Sequence, residues 1–368
     1  MLNCLPGFST LIERVLKHER VPMVRTGIPE LTERRKEILK LVIQEYVHTA
    51  QPVPSEVLVQ KYGLPVSPAT VRNELAALEE LGLLTHPHTS AGRVPTDRGY
   101  RCFVEQLMEW TPLPSEERRT IRHQFFQVRT QVEEWARLGA ATLARLSHSA
   151  AIVSPPRAPS CCFKHLELLS VYDTRVLLVI VLQDGTIRQH MLTLEEVIPQ
   201  EELSRASNRL NERFAGLSAA EIARLPQEGW SPLERQVAEL LLATMQQRDR
   251  WDWEEVAMDG VLEALSQPEF AEIERARRFL EILEQGYLLL DLLNEALRRS
   301  GVQVIIGGES QREQMRDYSL VVSRYGLAGR MEGVLGILGP TRMPYPRSIS
   351  AVHFVAHVMN DLLGQLPE

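Results

Sequence analysis

Long hydrophobic runs, cysteine and an excess of basic charge are all scarce in this chain of 368 residues. The longest uninterrupted apolar run, VLLVIVL at residues 176–182, is far shorter than the ~18 residues that a membrane-spanning helix needs. Four cysteines without a CxxC spacing indicate structural thiols in a reducing compartment. Residues 1–28 lack the apolar segment and cleavage site of a secretory signal. We therefore expect a cytoplasmic protein with no membrane partner.

Signatures of catalysis are also absent from the sequence. It contains no HExxH zinc motif, no GxxxxGK[ST] phosphate loop, and no serine or cysteine in a nucleophile motif. His353 and His357 have the spacing of two metal ligands on a helix, but no acidic third ligand follows at a familiar distance. We expect no enzyme activity, no bound metal and no cofactor.

The clearest local signal is the segment LPVSPATVRNELAALEELGLL, residues 64–84. Ser67 can cap a helix by accepting from free backbone N–H groups, and Pro68 suits the first helical position. The predicted helix therefore begins at residue 67 or 68. Its opposite faces differ in chemistry. The apolar side carries Val71, Leu75 and Leu78, and the outer side carries Ala69, Arg72, Asn73 and Ala76.

Taken alone, this helix favours a capped surface helix whose polar face is solvated. The flanking sequence favours another interpretation, because two helical segments precede it and two short strands around the loop TSAGRVPT follow it. Three helices and a hairpin predict a winged helix-turn-helix, in which the second helix of the pair enters the major groove of DNA. Donors on the helix and the wing then face bases and phosphates. The predicted DNA-binding residues are Ser67, Pro68, Ala69, Thr70, Arg72, Asn73, Ser90, Arg93 and Thr96.

The charge of this segment limits how it can bind DNA. Residues 29–112 carry nine basic and eleven acidic side chains, a net charge of −2. Non-specific affinity from counterion release should therefore be modest. We expect specific binding to require a dimer and good base contacts.

The remaining sequence predicts a mixed α/β body. After the linker TPLPS, residues 115–149 read as one long helical stretch, and residues 270–301 read as another. Three strand-like runs follow the first stretch, and Asp184-Gly185 marks a hairpin between the second and third. Residues 200–250 are helical in pattern. Near the end, strands are predicted at 302–308, 318–326 and 330–340, and a last helix at 350–366.

Long motifs at both ends of the chain resemble one protein family. LTERRKEILKLVIQEYV, PVPSEVLVQKYGLPVSPATVRNELAALEELGLL and HTSAGRVPTDRGYRCFVE resemble the N-terminal domain of the HrcA family of bacterial heat-inducible transcription repressors. The tail GVLGILGPTRMPYPRSISAVHFVAHVMNDLL resembles the C-terminal segment of that family. The resemblance runs from about residue 29 to residue 366 and leaves residues 1–28 outside it as an N-terminal extension.

The resemblance implies an α+β multidomain homodimer. Its parts would be an N-terminal winged helix-turn-helix at 29–112, a GAF-like α/β domain at 113–162 and 256–368, and an inserted dimerisation domain at 163–255. It also implies repression of chaperone operons through double-stranded DNA that carries the inverted-repeat operator called CIRCE. The GroE chaperonin would keep the repressor active, and heat stress would release it. An alternative from another class is a ligand-sensing transcription regulator whose GAF-like domain binds a small molecule.

Overall fold

A computed structural model describes residues 29–88, 92–129, 131–158, 160–249, 253–297, 301–310, 312–327 and 331–365. The predicted N-terminal extension, residues 1–28, lies outside them. The chain forms two compact units. The first contains the described residues up to Pro156, together with Trp253–Leu327 and those from Glu332 onwards, and the second consists mainly of those between Arg157 and Asp252.

The first part of unit one, residues 29–112, is called the head. It contains the three helices and the hairpin that the sequence predicts. The elements are α1 (Glu33–Thr49), α2 (Ser55–Tyr62), α3 (Pro68–Glu80), β1 (Leu84–Thr85), β2 (Val94–Pro95) and α4 (Asp97–Cys102), which continues into a π-helical turn at Phe103–Leu107.

Local signals set the ends of the head's helices. Thr32 caps α1 by accepting from the backbone N–H of Arg35, and the helix ends at Ala50 in the left-handed region. Gly63 ends α2 with φ at +63°, a conformation that glycine adopts without steric cost. The side of α1 that faces the head interior is apolar and buried, at Ile38, Leu39, Val42 and Ile43.

Backbone pairing holds the wing against the helices. β1 and β2 are antiparallel, with Leu84 opposite Pro95. Just before β2, Arg93 exchanges two backbone hydrogen bonds with Val53, of 2.9 and 3.0 Å. A Cβ on Gly99 of α4 would lie only 2.1 Å from the carbonyl oxygen of Leu83. The base of the wing is therefore a close backbone packing that a larger side chain at residue 99 would disrupt.

The predicted single helix at 115–149 is wrong, because two helices occupy this stretch. They are α5 (Ser115–Gln127) and α6 (Val132–Ser147), and β3 (Ala150–Val153) follows them. The indole N–H of Trp135 and the backbone N–H of Gln131 both donate to the carbonyl of Val128 at 2.9 Å, so the chain is held in a turn between the two helices. Both helices pack against the last helix of the chain. A single straight helix over residues 115–149 could not contact that helix along its whole length.

Unit two is a three-stranded antiparallel sheet packed against helices. Its strands are β4 (Phe163–Tyr172), β5 (Arg175–Leu182) and β6 (Ile187–Thr193), in that spatial order, with the predicted hairpin at Asp184-Gly185. The helices are α7 (Gln200–Phe214), α8 (Ala219–Ile222) and α9 (Pro232–Asp249). Every second residue of β5 is buried, from Val176 to Leu182, so one sheet face forms the core with the helices.

The body of unit one, defined as its described residues after 112, contains a five-stranded sheet. After Trp253 the elements in chain order are β7 (Ala257–Asp259), α10 (Val261–Leu265), α11 (Ile273–Gln285), α12 (Tyr287–Leu297), β8 (Val302–Ile306), β9 (Tyr318–Leu327), β10 (Met331–Pro340) and α13 (Tyr345–Leu363). The strand order in the sheet is β7, β3, β10, β9, β8. The three predicted C-terminal strands are thus confirmed, while the last helix begins five residues earlier than predicted.

The predicted helix at 270–301 is also wrong, since the chain breaks between α11 and α12 at Gly286. This residue has φ at +61°, and a Cβ there would lie 2.3 Å from the indole of Trp253. The indole therefore occupies the space that a side chain would need. Trp253 is distant in sequence, and for this reason the helical periodicity does not reveal the break.

Polar contacts join the head to the body within unit one. The carboxylate of Asp97 accepts from the backbone N–H of Gly308 at 3.0 Å. Arg101 donates to Glu309 at 2.8 Å and to the carbonyl of Val304 at 2.6 Å. Arg342 donates to the carbonyl of Val47 and pairs with Glu269. These contacts tie α1 and α4 to the sheet and the loops beside it.

A buried carboxylate joins the first two helices of the head. Glu45 is only 6% exposed, and it accepts from the ammonium of Lys61 at 2.6 Å and the hydroxyl of Tyr62 at 2.7 Å. The hydrogen bonds from Lys61 and Tyr62 lower the pKa of Glu45 below its ordinary value. Its ionised form is therefore stabilised in the folded protein.

We expect Glu45→Gln to lower the free energy of unfolding at pH 7 by about 1–3 kcal/mol, because it removes the charge from two hydrogen bonds in a buried setting. A lowered folded-state pKa stabilises above the unfolded value of ~4.3 and loses this effect as the pH falls through the folded value. The difference in Tm between wild type and variant should therefore shrink below about pH 4. Glu37→Gln, at an exposed position of α1, is the control; a Glu45 difference that stays constant down to about pH 3 would contradict the assignment.

Candidate nucleic-acid interface

Helix α3 begins where the sequence predicts. The hydroxyl oxygen of Ser67 accepts from the backbone N–H of Thr70 at 3.2 Å, and Pro68 occupies the first helical position. Ser67 and Thr70 hydroxyls also lie 3.0 Å apart. The N–H groups of a helix start and its positive dipole end favour an anion such as a phosphate. The start of α3 is therefore suited to the DNA backbone.

The two faces of α3 separate as the periodicity predicts. Val71, Leu75 and Leu78 are buried and hold the helix against the head. A hydrogen bond of 2.9 Å from Arg35 of α1 to Glu74 adds a polar tether to the same side. The opposite face is open to solvent. Of the six predicted residues on this helix, Thr70 is half-buried and the others, Ser67, Pro68, Ala69, Arg72 and Asn73, are exposed.

Arg72 does not extend freely from this face. Its Nη2 lies 2.8 Å from a carboxylate oxygen of Glu56, which belongs to the first turn of α2. The side chains are 68% and 48% exposed. The guanidinium is therefore accessible and at the same time held by a partner that sequence reasoning missed. The two residues are sixteen positions apart, so no helical spacing could have revealed the pair.

Arg93 has a larger structural role than the sequence suggests. Its side chain is 20% exposed, and its guanidinium lies 2.8 Å from Glu79 near the end of α3. His86 contacts the other oxygen of the same carboxylate. Arg93 thus joins the wing to α3 through its side chain, and its backbone pairs with Val53. Contact with phosphate stays a prediction for this residue.

Thr96 and Ser90 complete the predicted set. The hydroxyl of Thr96 accepts from the backbone N–H of Gly99 at 3.0 Å and donates to the carbonyl of Gly82 at 2.7 Å. It therefore caps α4 and secures the turn after α3. Ser90 lies outside the described residues, so its DNA contact also stays a prediction. The structure brings the predicted α3 residues together on one face of the helix. Arg93 and Thr96 make structural contacts at the base of the wing.

Comparison with known proteins identifies the family to which this geometry belongs. Residues 30–109 match the family described as the winged helix-turn-helix transcription repressor, HrcA DNA-binding domain. Residues 133–349 match the HrcA protein C-terminal domain. The chain belongs to the HrcA family of heat-inducible transcription repressors. The head is accordingly its DNA-binding winged-helix domain, and DNA is its partner.

Relatives in the HrcA family cover almost the whole chain. The heat-inducible transcription repressor HrcA of Roseiflexus castenholzii is 54% identical over 92% of this chain and 96% of its own length. The HrcA proteins of Chloroflexus aggregans and Thermomicrobium roseum are 50% and 42% identical, over 91% and 92% of this chain and 94% and 97% of theirs. Their role as transcription repressors is regulatory rather than enzymatic.

The fold is also found in a solved structure of low sequence identity. A crystal structure of a hypothetical protein aligns with a TM-score of 0.51 and 21% identity, over 90% of this chain and 97% of that one. At this identity the likeness concerns the fold alone. It supports an α+β architecture of several domains, in agreement with the prediction from the sequence.

The two histidines with metal-ligand spacing have other contacts. His357 lies 3.6 Å from the carboxylate of Asp361, one turn further along α13. The ring of His353 meets the edge of Trp110, with centroids 5.1 Å apart. Among the residues that the structure describes, no group of three or more potential ligands is placed to hold a metal ion.

No helix within the described part of the chain has the length and apolar content to span a bilayer.

We expect Arg93→Ala to lower the free energy of unfolding by about 1 kcal/mol, because it leaves the half-buried carboxylate of Glu79 without its guanidinium. Arg72→Ala, at a far more exposed position, should change it by less than about 0.5 kcal/mol. Urea unfolding followed by far-UV circular dichroism measures both. Equal effects for the two variants, or none for Arg93→Ala, would refute the structural role of Arg93.

Proposed function

We propose that this chain is a homodimeric, cytoplasmic repressor of heat-shock (chaperone) operons that binds the inverted-repeat CIRCE operator and is released on heat stress. The observation that carries the proposal is the exposed outer face of α3, with its capped start and its two donor side chains, Arg72 and Asn73. Small residues on that face allow close approach to the floor of a groove. Arginine suits guanine and asparagine suits adenine at the edges of base pairs.

A dimer follows from the symmetry of an inverted repeat. Two identical half-sites related by a two-fold axis are read by two identical heads with the same symmetry. Linking the heads makes the second binding event intramolecular, which raises the affinity for the whole operator. This gain in affinity is needed here because the net charge of the head is −2. Electrostatic attraction therefore contributes little to the affinity of one head for DNA.

The outer face of the three-stranded sheet in unit two is suited to this dimer contact. Register pairing aligns Leu169 of β4, Leu177 of β5 and Met191 of β6 in one row across the sheet. Ile187 of β6 lies on the same face. The side chains of Leu169, Ile187 and Met191 are 44–56% exposed. Such a patch is a typical protein–protein contact, and a second copy of the same face covers it with two-fold symmetry.

The domain division predicted from the sequence is part of this proposal. The head at 29–112 reads DNA, a GAF-like domain at 113–162 and 256–368 supports it, and an inserted domain at 163–255 dimerises. The second compact unit, which runs from Arg157 to Asp252, supports an insertion of about this extent.

The alternative function is a ligand-sensing regulator, and it rests only on the expected GAF-like fold. A thermal-shift screen with metabolites tests it.

Heat release follows from the coupling between dimerisation and DNA affinity. Warming that loosens unit two separates the heads and removes the gain from linkage. The GroE chaperonin would return the repressor to its active form, and unfolded proteins would compete for that chaperonin during stress. A band-shift assay that follows the active fraction with temperature, with and without purified chaperonin, tests both steps. Equal recovery in the presence and absence of chaperonin would contradict its part.

We expect Arg72→Ala to weaken operator binding by ~1–3 kcal/mol, the usual contribution of one bidentate bond pair to a base. The loss should be greater for the operator than for a scrambled duplex of the same length. Competition band shifts at fixed salt measure both affinities. Arg137→Ala removes the same charge from an exposed site on α6 and should bind like wild type. If Arg72→Ala keeps full affinity and sequence preference, this residue is not in the interface.

We expect Leu169→Glu to convert the dimer to a monomer, because it places a charge in the centre of an apolar contact. Sedimentation equilibrium measures the change, and operator affinity should fall at least about tenfold because the two heads are no longer linked. Asn208→Glu adds the same charge at an exposed position of α7 and should remain dimeric. A Leu169→Glu protein that stays dimeric would mean that the copies meet on another surface.

A further inference from the structure

The ion pair between Arg72 and Glu56 spans the two helices of the helix-turn-helix. Glu56 lies in the first turn of α2, and Arg72 lies in the second turn of α3, with 2.8 Å between Oε1 and Nη2. Both side chains are substantially exposed. Exposed pairs of this kind contribute little to folding stability. A role in folding therefore does not account for the pair, and a role in reading DNA is the one its position suggests.

The position of Glu56 in the first turn of α2 favours its charged form. A carboxylate there is stabilised by the helix dipole. Interactions with its own backbone, with Ser55 and with Arg72 lower the pKa of Glu56 below its ordinary value. Glu56 is therefore a charged partner that can hold the guanidinium of Arg72.

Anchoring changes what an arginine can do in a groove. A free arginine loses considerable rotamer entropy when it is ordered against a base, whereas a side chain already held by a neighbour loses less. The bond to Glu56 occupies one of the five N–H donors of the guanidinium. Arg72 remains 68% exposed while paired, so the contact orients the guanidinium without covering it.

We infer that Glu56 is a positioning residue which orients Arg72 for a bidentate contact with O6 and N7 of a guanine in each operator half-site. Glu56 thereby sets how strictly one base pair is read. This inference rests on the proposed function, since it requires α3 to lie in the major groove. It predicts that the half-site contains a G·C pair at the position that Arg72 reaches.

The test measures discrimination base pair by base pair. The full-length dimer is titrated against the operator and against variants with one symmetric substitution at each half-site position, at fixed salt. The proteins are wild type, Arg72→Ala, Glu56→Ala, Glu56→Gln and the double variant Glu56→Ala/Arg72→Ala. Glu80→Gln removes one negative charge from an exposed position of α3 and serves as the charge control. Thermal unfolding of each protein confirms that the head is folded.

We expect Arg72→Ala to lose ~5- to 150-fold of discrimination at one G·C pair. Glu56→Ala should relax discrimination at that same pair by at least about fivefold, with Tm unchanged, and Glu56→Gln, which keeps an acceptor oxygen, should lie between it and wild type. The double variant should discriminate no worse than Arg72→Ala, since the two residues act as one unit. Glu80→Gln should keep the wild-type pattern.

Other results would overturn the inference in distinguishable ways. If Arg72→Ala discriminates like wild type at every position, the base contact fails, and the proposed function loses its main support. If Arg72→Ala loses discrimination at one pair but Glu56→Ala does not, only the role of Glu56 fails. Tighter operator binding by Glu56→Ala with discrimination intact would show that Glu56 opposes DNA binding by Arg72. A uniform affinity change shared with Glu80→Gln would show a general charge effect.

Discussion

The apolar contact beneath α3 is the interaction on which the outer face of this helix depends. Val71, Leu75 and Leu78 are almost fully buried, and each contributes about 1.5–3 kcal/mol by leaving water. Because successive helical residues are rotated by about 100°, burying these three decides which residues face outward. Sliding the helix by a single position would turn Arg72 toward the interior. The same hydrophobic contact that stabilises the head therefore selects the side chains of the outer face, which we propose meets DNA.

Acidic residues in the head act mainly as internal anchors. Glu45 holds the end of α2 to α1, Glu74 holds α3 to α1, and Glu79 holds the wing to α3. The net charge of −2 consequently says little about the outer face of α3, whose six predicted residues include one cation and no carboxylate. In the proposed function, a head of this kind relies on shape, base contacts and symmetry more than on a general attraction to phosphate.

Secondary structure could be predicted wherever the deciding interactions lie within a few residues. The start of α3 at Ser67-Pro68, the end of α2 at Gly63 and the three C-terminal strands all follow from caps, turns and periodicity. Helical periodicity continues across the two breaks, near Val128 and at Gly286, and therefore predicts neither of them. A tryptophan indole contacts the chain at each break, and Gly286, like Gly63, ends its helix with a positive φ.

The sequence by itself determined the winged-helix order, the family and the two faces of α3, because these depend on local spacing and on motifs that are contiguous along the chain. Only the tertiary structure decided the roles of the charged side chains: Arg93 is tied to Glu79, and Arg72 is held by Glu56. An ion pair requires two groups within a few ångströms, and fourteen to sixteen residues separate the members of these pairs. Their meeting depends on how the wing and the two helices pack, which no local pattern encodes.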